Sequence, residues 1–218
     1  MNGTKVLIVT GGAISLSFMK EYLDRKAFDK IIAVDKGLEG VQALSLKPDY
    51  VIGDFDSVSK DVIEHYKGLE GVSVAEYDPM KDATDTELAM LTAMELKPEE
   101  IVILGATGSR ADHMMANVSL LYLPLKENIK TSLVDEHNKI YIINHNTVLY
   151  RKKLHGPYVS LLPFTDTVKG ITLKGFLYPL QDKTLTLGSS LGISNEVTEE
   201  SAEILIESGI LLVIEAKD

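Results

Sequence analysis

Residues 30–56 read KIIAVDKGLEGVQALSLKPDYVIGDFD, and this stretch decides the fold. Its two apolar runs, IIAV (31–34) and YVI (50–52), are short and unbroken, as expected of strands in a sheet covered on both faces. Between them Leu38, Val41 and Leu44 recur at helical spacing. Strands alternating with helices imply an open, mostly parallel α/β sheet. Each run is followed by acid: Asp35 after the first, Asp54 and Asp56 after the second.

The pattern extends in both directions. KVLIVTGG (5–12), VSVAEYD (72–78) and EIVILGATG (100–108) read as further strands. SLSFMKEYLD (15–24), SKDVIEHYKG (59–68), TDTELAMLTAMEL (84–96) and RADHMMANVSLLYL (110–123) carry helical apolar stripes. Thr84 and Glu87 have the spacing of a capping box, which predicts a helix start at TDTE. The texture changes near 124–136. Beyond it KIYIINHNTVLYRK, YVSLLPF, VKGITLKGF, KTLTLG and GILLVIEAK are short, partly alternating runs between Gly and Asp turns, as in an antiparallel sandwich. EESAEILIES (199–208) is the one stretch there that could hold a short helical turn. The expected organisation is an α/β domain over residues 1–130 and an all-β sandwich over 131–218.

Bulk properties narrow the function. The formal net charge of −10 argues against non-specific nucleic-acid binding, which needs cationic surface. There are no cysteines, hence no disulfides and no thiolate metal sites. No apolar run is long enough to span a bilayer, and MNGTKVLIVTGG has neither the basic region nor the cleavage site of a signal peptide, so the expected location is cytoplasmic.

In open α/β sheets ligands bind beyond the carboxyl ends of the strands. That is where Asp35, Asp54, Asp56, Asp78 and the Gly105–Gly108 loop fall. On an extended chain Asp54 and Asp56 would point to one side and face one ion, with Phe55 turned away to pack. Lys81, Asp82 and Asp85 cluster at a helix start, where carboxylates also serve as caps and complement the helix dipole. In GATGSRADH the glycines permit close backbone approach to a ligand, and Arg110 can clamp phosphate oxygens. Neither a P-loop nor a G-x-G-x-x-G turn is present, and no H-E-x-x-H pair supports a zinc hydrolase. Hard oxygen donors favour Mg²⁺, which takes one or two carboxylates plus substrate phosphates. The residues alone therefore point to Mg²⁺-dependent phosphate chemistry.

AVDKG, PDYVIGDFDSV, KDATDTELAM, GATGSRADHMMANVSLL, KGFLYPL and GISNE, in this order over residues 33–196, resemble thiamine pyrophosphokinase. The resemblance implies an α/β catalytic domain, a β-sandwich that helps bind thiamine, and a homodimer with sites near the subunit interface. It implies transfer of a pyrophosphoryl group from ATP to the thiamine hydroxyl, releasing AMP. It places Mg²⁺ on Asp54, Asp56 and Asp85. The nucleotide side takes Asp35, Lys81, Thr84, Arg110, Asp112 and His113, and the thiamine side Ser194 and Asn195. Asp54, Asp56, Asp85 and Arg110 are the expected catalytic set. One departure is visible: many members have a D-G-G-A-N sequence where this chain has DKGLEG, with Lys36 in place of a glycine. Two other readings stay open on the residues alone, an Mg²⁺-dependent phosphohydrolase and a non-catalytic nucleotide or thiamine sensor.

Overall fold

A computed structural model describes residues 3–56, 58–76 and 82–218. The chain divides into two compact units, Met1–Glu136 and His137–Asp218. In the first, the strands are β1 (Lys5–Val9), β2 (Lys30–Val34), β3 (Tyr50–Gly53), β4 (Ser73–Glu76), β5 (Glu100–Leu104) and β6 (Lys130–Val134). Helices α1 (Leu16–Arg25), α2 (Gly37–Ala43), α3 (Lys60–Lys67), α4 (Asp85–Glu95), α5 (Ala111–Leu120) and α6 (Tyr122–Lys126) lie between them in sequence. The strand order is β6-β5-β1-β2-β3-β4, and every adjacent pair is parallel.

Burial follows position in this sheet. β1 and β5, both in its interior, bury four of their five residues, so after Lys5 and Glu100 the runs VLIV and IVIL are continuously apolar. β4, at the edge, has exposed ends. One side of the core gathers Leu7, Val9, Leu38, Val41, Val51, Ile63, Tyr66 and Val102. From β1 the chain winds outward to β4, then returns through α4 to place β5 on the other side of β1. The order thus reverses between β1 and β5, the kind of switch point where open sheets form a ligand crevice.

The second unit is antiparallel throughout. One sheet runs β12 (Asn195–Glu196), β9 (Tyr158–Pro163), β14 (Leu211–Ala216), β7 (Asn138–Ile143). The other runs β11 (Leu180–Thr186), β10 (Thr167–Lys174), β13 (Ser201–Leu205), β8 (Thr147–Tyr150). Val159, Leu161, Leu211 and Val213 of the first meet Leu149, Val168, Ile171, Leu185 and Ile204 of the second in one core, which makes the unit a sandwich. Glu215 is buried in it, and its carboxylate is compensated: it accepts from Tyr141 Oη at 2.9 Å and from the His155 backbone N–H at 2.7 Å, with Lys139 Nζ at 3.4 Å. Burial, with the Glu215 charge, pushes the Tyr141 hydroxyl well above its ordinary range.

Three local features differ from the sequence reading. EESAEILIES contains no helical turn; Ser201–Leu205 is strand β13, with Ala202 and Ile204 inward on alternate positions and partners on both sides. KTSLV (130–134), not singled out as a strand, pairs with β5 as β6; its polar Thr131 and Ser132 mask the apolar signal. The chain is not extended from Asp54 to Asp56, because β3 stops at Gly53 and Phe55 has φ 57°.

Candidate active site

At the end of β3 the expected pair of carboxylates is on a turn. Asp54 Oδ1 accepts the Asp56 N–H at 3.1 Å, and the Phe55 carbonyl accepts the Val58 N–H at 3.1 Å. Phe55 is 8% exposed and belongs to the core, so it packs as expected, although by turning the chain rather than by strand alternation. A bulky residue at positive φ is strained, and such strain persists only where the surroundings hold it. Asp54 is half-buried and Asp56 exposed.

Asp35, at the end of the neighbouring β2, is also left-handed, with φ 47°. Its backbone N–H donates to the Ile52 carbonyl at 3.1 Å. A Cβ at Gly53 would overlap Asp35 Oδ1, so the missing side chain of Gly53 lets the Asp35 carboxylate lie against the start of the Asp54 turn. Lys36, the departure from D-G-G-A-N, is exposed at the start of α2.

Thr84 is the N-cap of α4: its Oγ1 accepts the Glu87 N–H at 3.2 Å, the local bond that the TDTE spacing predicts. Asp85 is the first residue of that helix and half-buried. Asp82 is exposed just before it. Lys81 and Asp78 lie outside the described residues. Among the described residues no three of His, Asp and Glu converge into a group that would by itself hold a metal, so Asp54, Asp56 and Asp85 do not form a ready-made cage. The donor set still suits Mg²⁺, because two neighbouring carboxylates satisfy an ion that arrives with phosphate oxygens.

The β5 loop is organised differently. The Gly105 carbonyl accepts from Thr10 Oγ1 at 2.6 Å and from the Gly12 N–H at 2.9 Å. The Ala106 carbonyl accepts from Asn117 Nδ2 at 2.8 Å, and the Thr107 carbonyl from the Ala13 N–H at 2.7 Å. Thr107 Oγ1 donates to Asp135 Oδ2 at 2.7 Å. Gly105 has φ 73°, and a Cβ there would overlap the Thr10 carbonyl oxygen. Beyond the loop Arg110 forks onto Asp112, Nε to Oδ1 at 3.2 Å and Nη2 to Oδ2 at 2.5 Å. The hydrogen bonds from Arg110 hold the exposed Asp112 carboxyl at about 2, below the usual carboxylate range. His113 is exposed in the first turn of α5.

In the second unit Ser194 is exposed at φ 54°, and its N–H donates to Ser160 Oγ at 3.0 Å. Asn195 differs from the loop residue expected of LGISNEV: it opens β12 and is 4% exposed. Its Oδ1 accepts the N–H of Tyr178 at 3.0 Å and of Glu196 at 2.9 Å, and its Nδ2 donates to the Tyr178 carbonyl at 2.8 Å. Asn195 therefore clamps the backbone of Tyr178, which is itself 62% exposed.

Residues 21–133 match the family model described as thiamin pyrophosphokinase, catalytic domain, and residues 145–211 the one described as thiamin pyrophosphokinase, vitamin B1 binding domain. The chain belongs to the thiamine pyrophosphokinase family. The thiamine pyrophosphokinase of Bacillus subtilis (strain 168) is 37% identical over 189 residues, spanning 86% of this chain and 87% of that one. A crystal structure of the Bacillus subtilis thiamine pyrophosphokinase superimposes with a TM-score of 0.88 at 33% identity, covering 99% of this chain and 100% of the other. The thiamin pyrophosphokinase of Geobacillus thermodenitrificans gives 0.86 at 30% identity, covering 99% and 98%. Family membership makes the chain a kinase-type enzyme. Within the thiamine pyrophosphokinase frame, Asp35, Asp54, Asp56, Thr84, Asp85, Arg110, Asp112 and His113 fall in the catalytic-domain match, and Ser194 and Asn195 in the vitamin-binding match.

Thr10, Asn117 and Asp135, which hold the β5 loop, did not stand out in the sequence. Thr10 is a polar residue closing VLIV, and Asn117 interrupts the apolar stripe of Met114, Val118 and Leu121; both were readable as anomalies. Asp135 directly follows β6, the strand hidden by its polar residues.

Proposed function

We propose that the protein transfers the pyrophosphoryl group of ATP to the hydroxyl of thiamine, giving thiamine diphosphate and AMP. The observation that carries the reading is the gathering of Asp35, Asp54, Asp56 and the Gly105–Arg110 loop at the carboxyl ends of one parallel sheet, in a chain whose two halves match the catalytic and vitamin-binding models in order. The ends of β3 and β5 are three strand positions apart, roughly 14 Å at ordinary spacing, within reach of one extended nucleoside triphosphate.

In the reaction the thiamine hydroxyl oxygen attacks the β-phosphorus and gives up its proton to solvent, the bond from that phosphorus to the α–β bridging oxygen breaks, and AMP leaves with that oxygen. Phosphoryl transfer leaves the protein mainly positioning and charge stabilisation. Asp54 and Asp56, with Asp85, would hold Mg²⁺, whose chemistry is to neutralise and orient the phosphate oxygens. Arg110 spends two donors of its five on Asp112, and the remainder would serve phosphate oxygens. Asp35, Thr84 and His113, with Lys81, complete the nucleotide side. The first unit is the ATP- and Mg²⁺-binding domain and the second the thiamine-binding domain. There Ser194 offers direct contact, and Asn195 acts by fixing Tyr178. A homodimer belongs to the same reading, and the exposed Leu177, Tyr178, Leu187, Leu191 and Ile193 of the second unit are apolar side chains that such an interface could cover. A cytoplasmic location belongs to the same reading; among the described residues no helix is long and apolar enough to cross a membrane.

The test is incubation with ATP, Mg²⁺ and thiamine, with products resolved by mass. AMP and thiamine diphosphate in equal amounts, only when thiamine is present, is the expected result. Stoichiometric ADP, phosphate release without thiamine, or saturable binding without AMP would each replace the reading, the last two with a phosphohydrolase or a sensor.

A further inference from the structure

Polar side chains are seldom buried without a task. Among the described residues the buried polar or charged ones are Thr10, Asn117, Ser132, Asn195 and Glu215. Two of these five serve adjacent carbonyls of a single loop: Thr10 binds the Gly105 oxygen and Asn117 the Ala106 oxygen. The Ala13 N–H takes the next carbonyl, that of Thr107, and Asp135 holds the Thr107 side chain from the end of β6. Three successive carbonyls of this loop are therefore tied down, by the end of β1, the segment after it, and α5.

These ties also orient the opposite side of the same peptide units. In a trans peptide the carbonyl and the following N–H point in opposite directions, and the described chain has no cis bonds. Tying the Ala106 and Thr107 carbonyls inward turns the N–H groups of Thr107 and Gly108 outward. Thr107 is half-buried and Gly108 exposed, and neither N–H donates a hydrogen bond within the chain among the described residues. Arg110 follows two residues later. Successive amides without a partner in the described chain, next to a guanidinium, are donors suited to an anion.

We infer that Thr10 and Asn117, with Asp135, are positioning residues for the reaction: by holding the loop through its carbonyls and the Thr107 hydroxyl, they aim the Thr107 and Gly108 amides, beside Arg110, at the polyphosphate of ATP. The inference rests on the pyrophosphoryl-transfer reading for its substrate, while its geometry is independent of the acceptor. A loop held only for stability would make a different prediction. Weakening it would lower melting temperature and the amount of active enzyme but leave the affinity of folded protein for ATP unchanged.

The experiment measures Mg²⁺–ATP binding by calorimetry without thiamine, then KM for ATP and for thiamine separately, with melting temperature alongside. Thr10→Val removes the hydroxyl at nearly constant shape, and Asn117→Ala removes the amide. Each is expected to weaken ATP binding about tenfold, the size of one lost hydrogen bond, while KM for thiamine stays put. Thr10→Ser, which keeps the hydroxyl, should recover most of the loss. Thr107→Val, which cuts only the tie to Asp135 at a half-buried position, keeps the test open if the buried variants fail to fold; about threefold is expected from it. Unchanged ATP affinity in folded Thr10→Val or Thr107→Val overturns the inference. If the wild type binds ATP and these variants bind it more weakly, yet no thiamine diphosphate forms, the positioning role stands and the acceptor assignment falls.

Discussion

The turn after β3 and the loop after β5 end strands of the same parallel sheet, yet they are built in opposite ways. The β3 turn carries two carboxylates and is shaped by Phe55, whose ring is sunk in the core at positive φ. Among the described residues, its acids have little polar support beyond the Asp54–Asp56 bond. The β5 loop carries no acid, and its backbone is gripped by Thr10, Asn117 and two amides of the segment after β1. Charge is concentrated in one and backbone order in the other. A polyphosphate with its counter-ion needs both, since like charges gathered without a cation repel, and donors without fixed direction gain little.

The comparison breaks most visibly at the carboxylates. Asp54→Asn and Asp56→Asn should each lower Mg²⁺-dependent turnover by at least about a hundredfold, by analogy with losing a preorganised charge contact. Thermal stability should hold, because the amide oxygen introduced by Asp54→Asn can still accept the Asp56 N–H. Steady-state kinetics beside a melting curve checks this; normal turnover in both variants would remove the metal from the β3 turn.

A smaller loss is expected from Gly53→Ala. Its new Cβ collides with the Asp35 carboxylate, and overpacking of this kind costs about 1–3 kcal/mol. Urea unfolding should register that cost, with kcat/KM falling as Asp35 is displaced. An unaltered protein would mean that the approach of Asp35 to the Asp54 turn has no importance.

Asn195 extends the contrast into the second unit, because it repeats the logic of the β5 loop: a buried amide holds a backbone. Asn195→Ala orphans the Tyr178 N–H and carbonyl and should destabilise by about 1–3 kcal/mol in denaturant. KM for thiamine should rise while KM for ATP does not. A rise in KM for ATP alone would reverse the proposed assignment of the second unit.

The mildest effect concerns pH. Arg110 lowers the Asp112 carboxyl to about 2, so the stabilisation from the pair is complete above the ordinary carboxylate range and is lost as pH falls through about 2. Carboxyl resonances followed by NMR should titrate there, and Arg110→Gln should return the midpoint to the ordinary range. An Asp112 midpoint already near the ordinary carboxylate value in the wild type would show that the fork does not persist in solution.

Much of this was legible in the chain itself. IIAV, YVI, KVLIV and EIVIL announce strands because both faces of a parallel sheet are apolar, and TDTE announces its helix through a bond only three residues long. The carboxyl-end residues Asp35, Asp54, Asp56 and Arg110 could be picked out because acids and arginine do not belong at the ends of buried runs unless something holds them. β6 escaped because polar residues occupy a buried strand, and β13 because its short alternating pattern was compatible with a turn.

What the sequence determined by itself is most of the strands and helices of the first unit, the polar residues at strand ends and the family they resemble, all carried by patterns a few residues long. Only the tertiary structure decided that Phe55 turns the chain, that Asn195 clamps Tyr178 instead of lying in a loop, and that Thr10, Asn117 and Asp135 meet at one loop. The last two of these depend on partners 11 to 95 positions apart, and a hydrogen bond across such a separation has no periodicity to betray it. The geometry at the β5 loop exists only once the sheet has brought the ends of β1, β5 and β6 side by side.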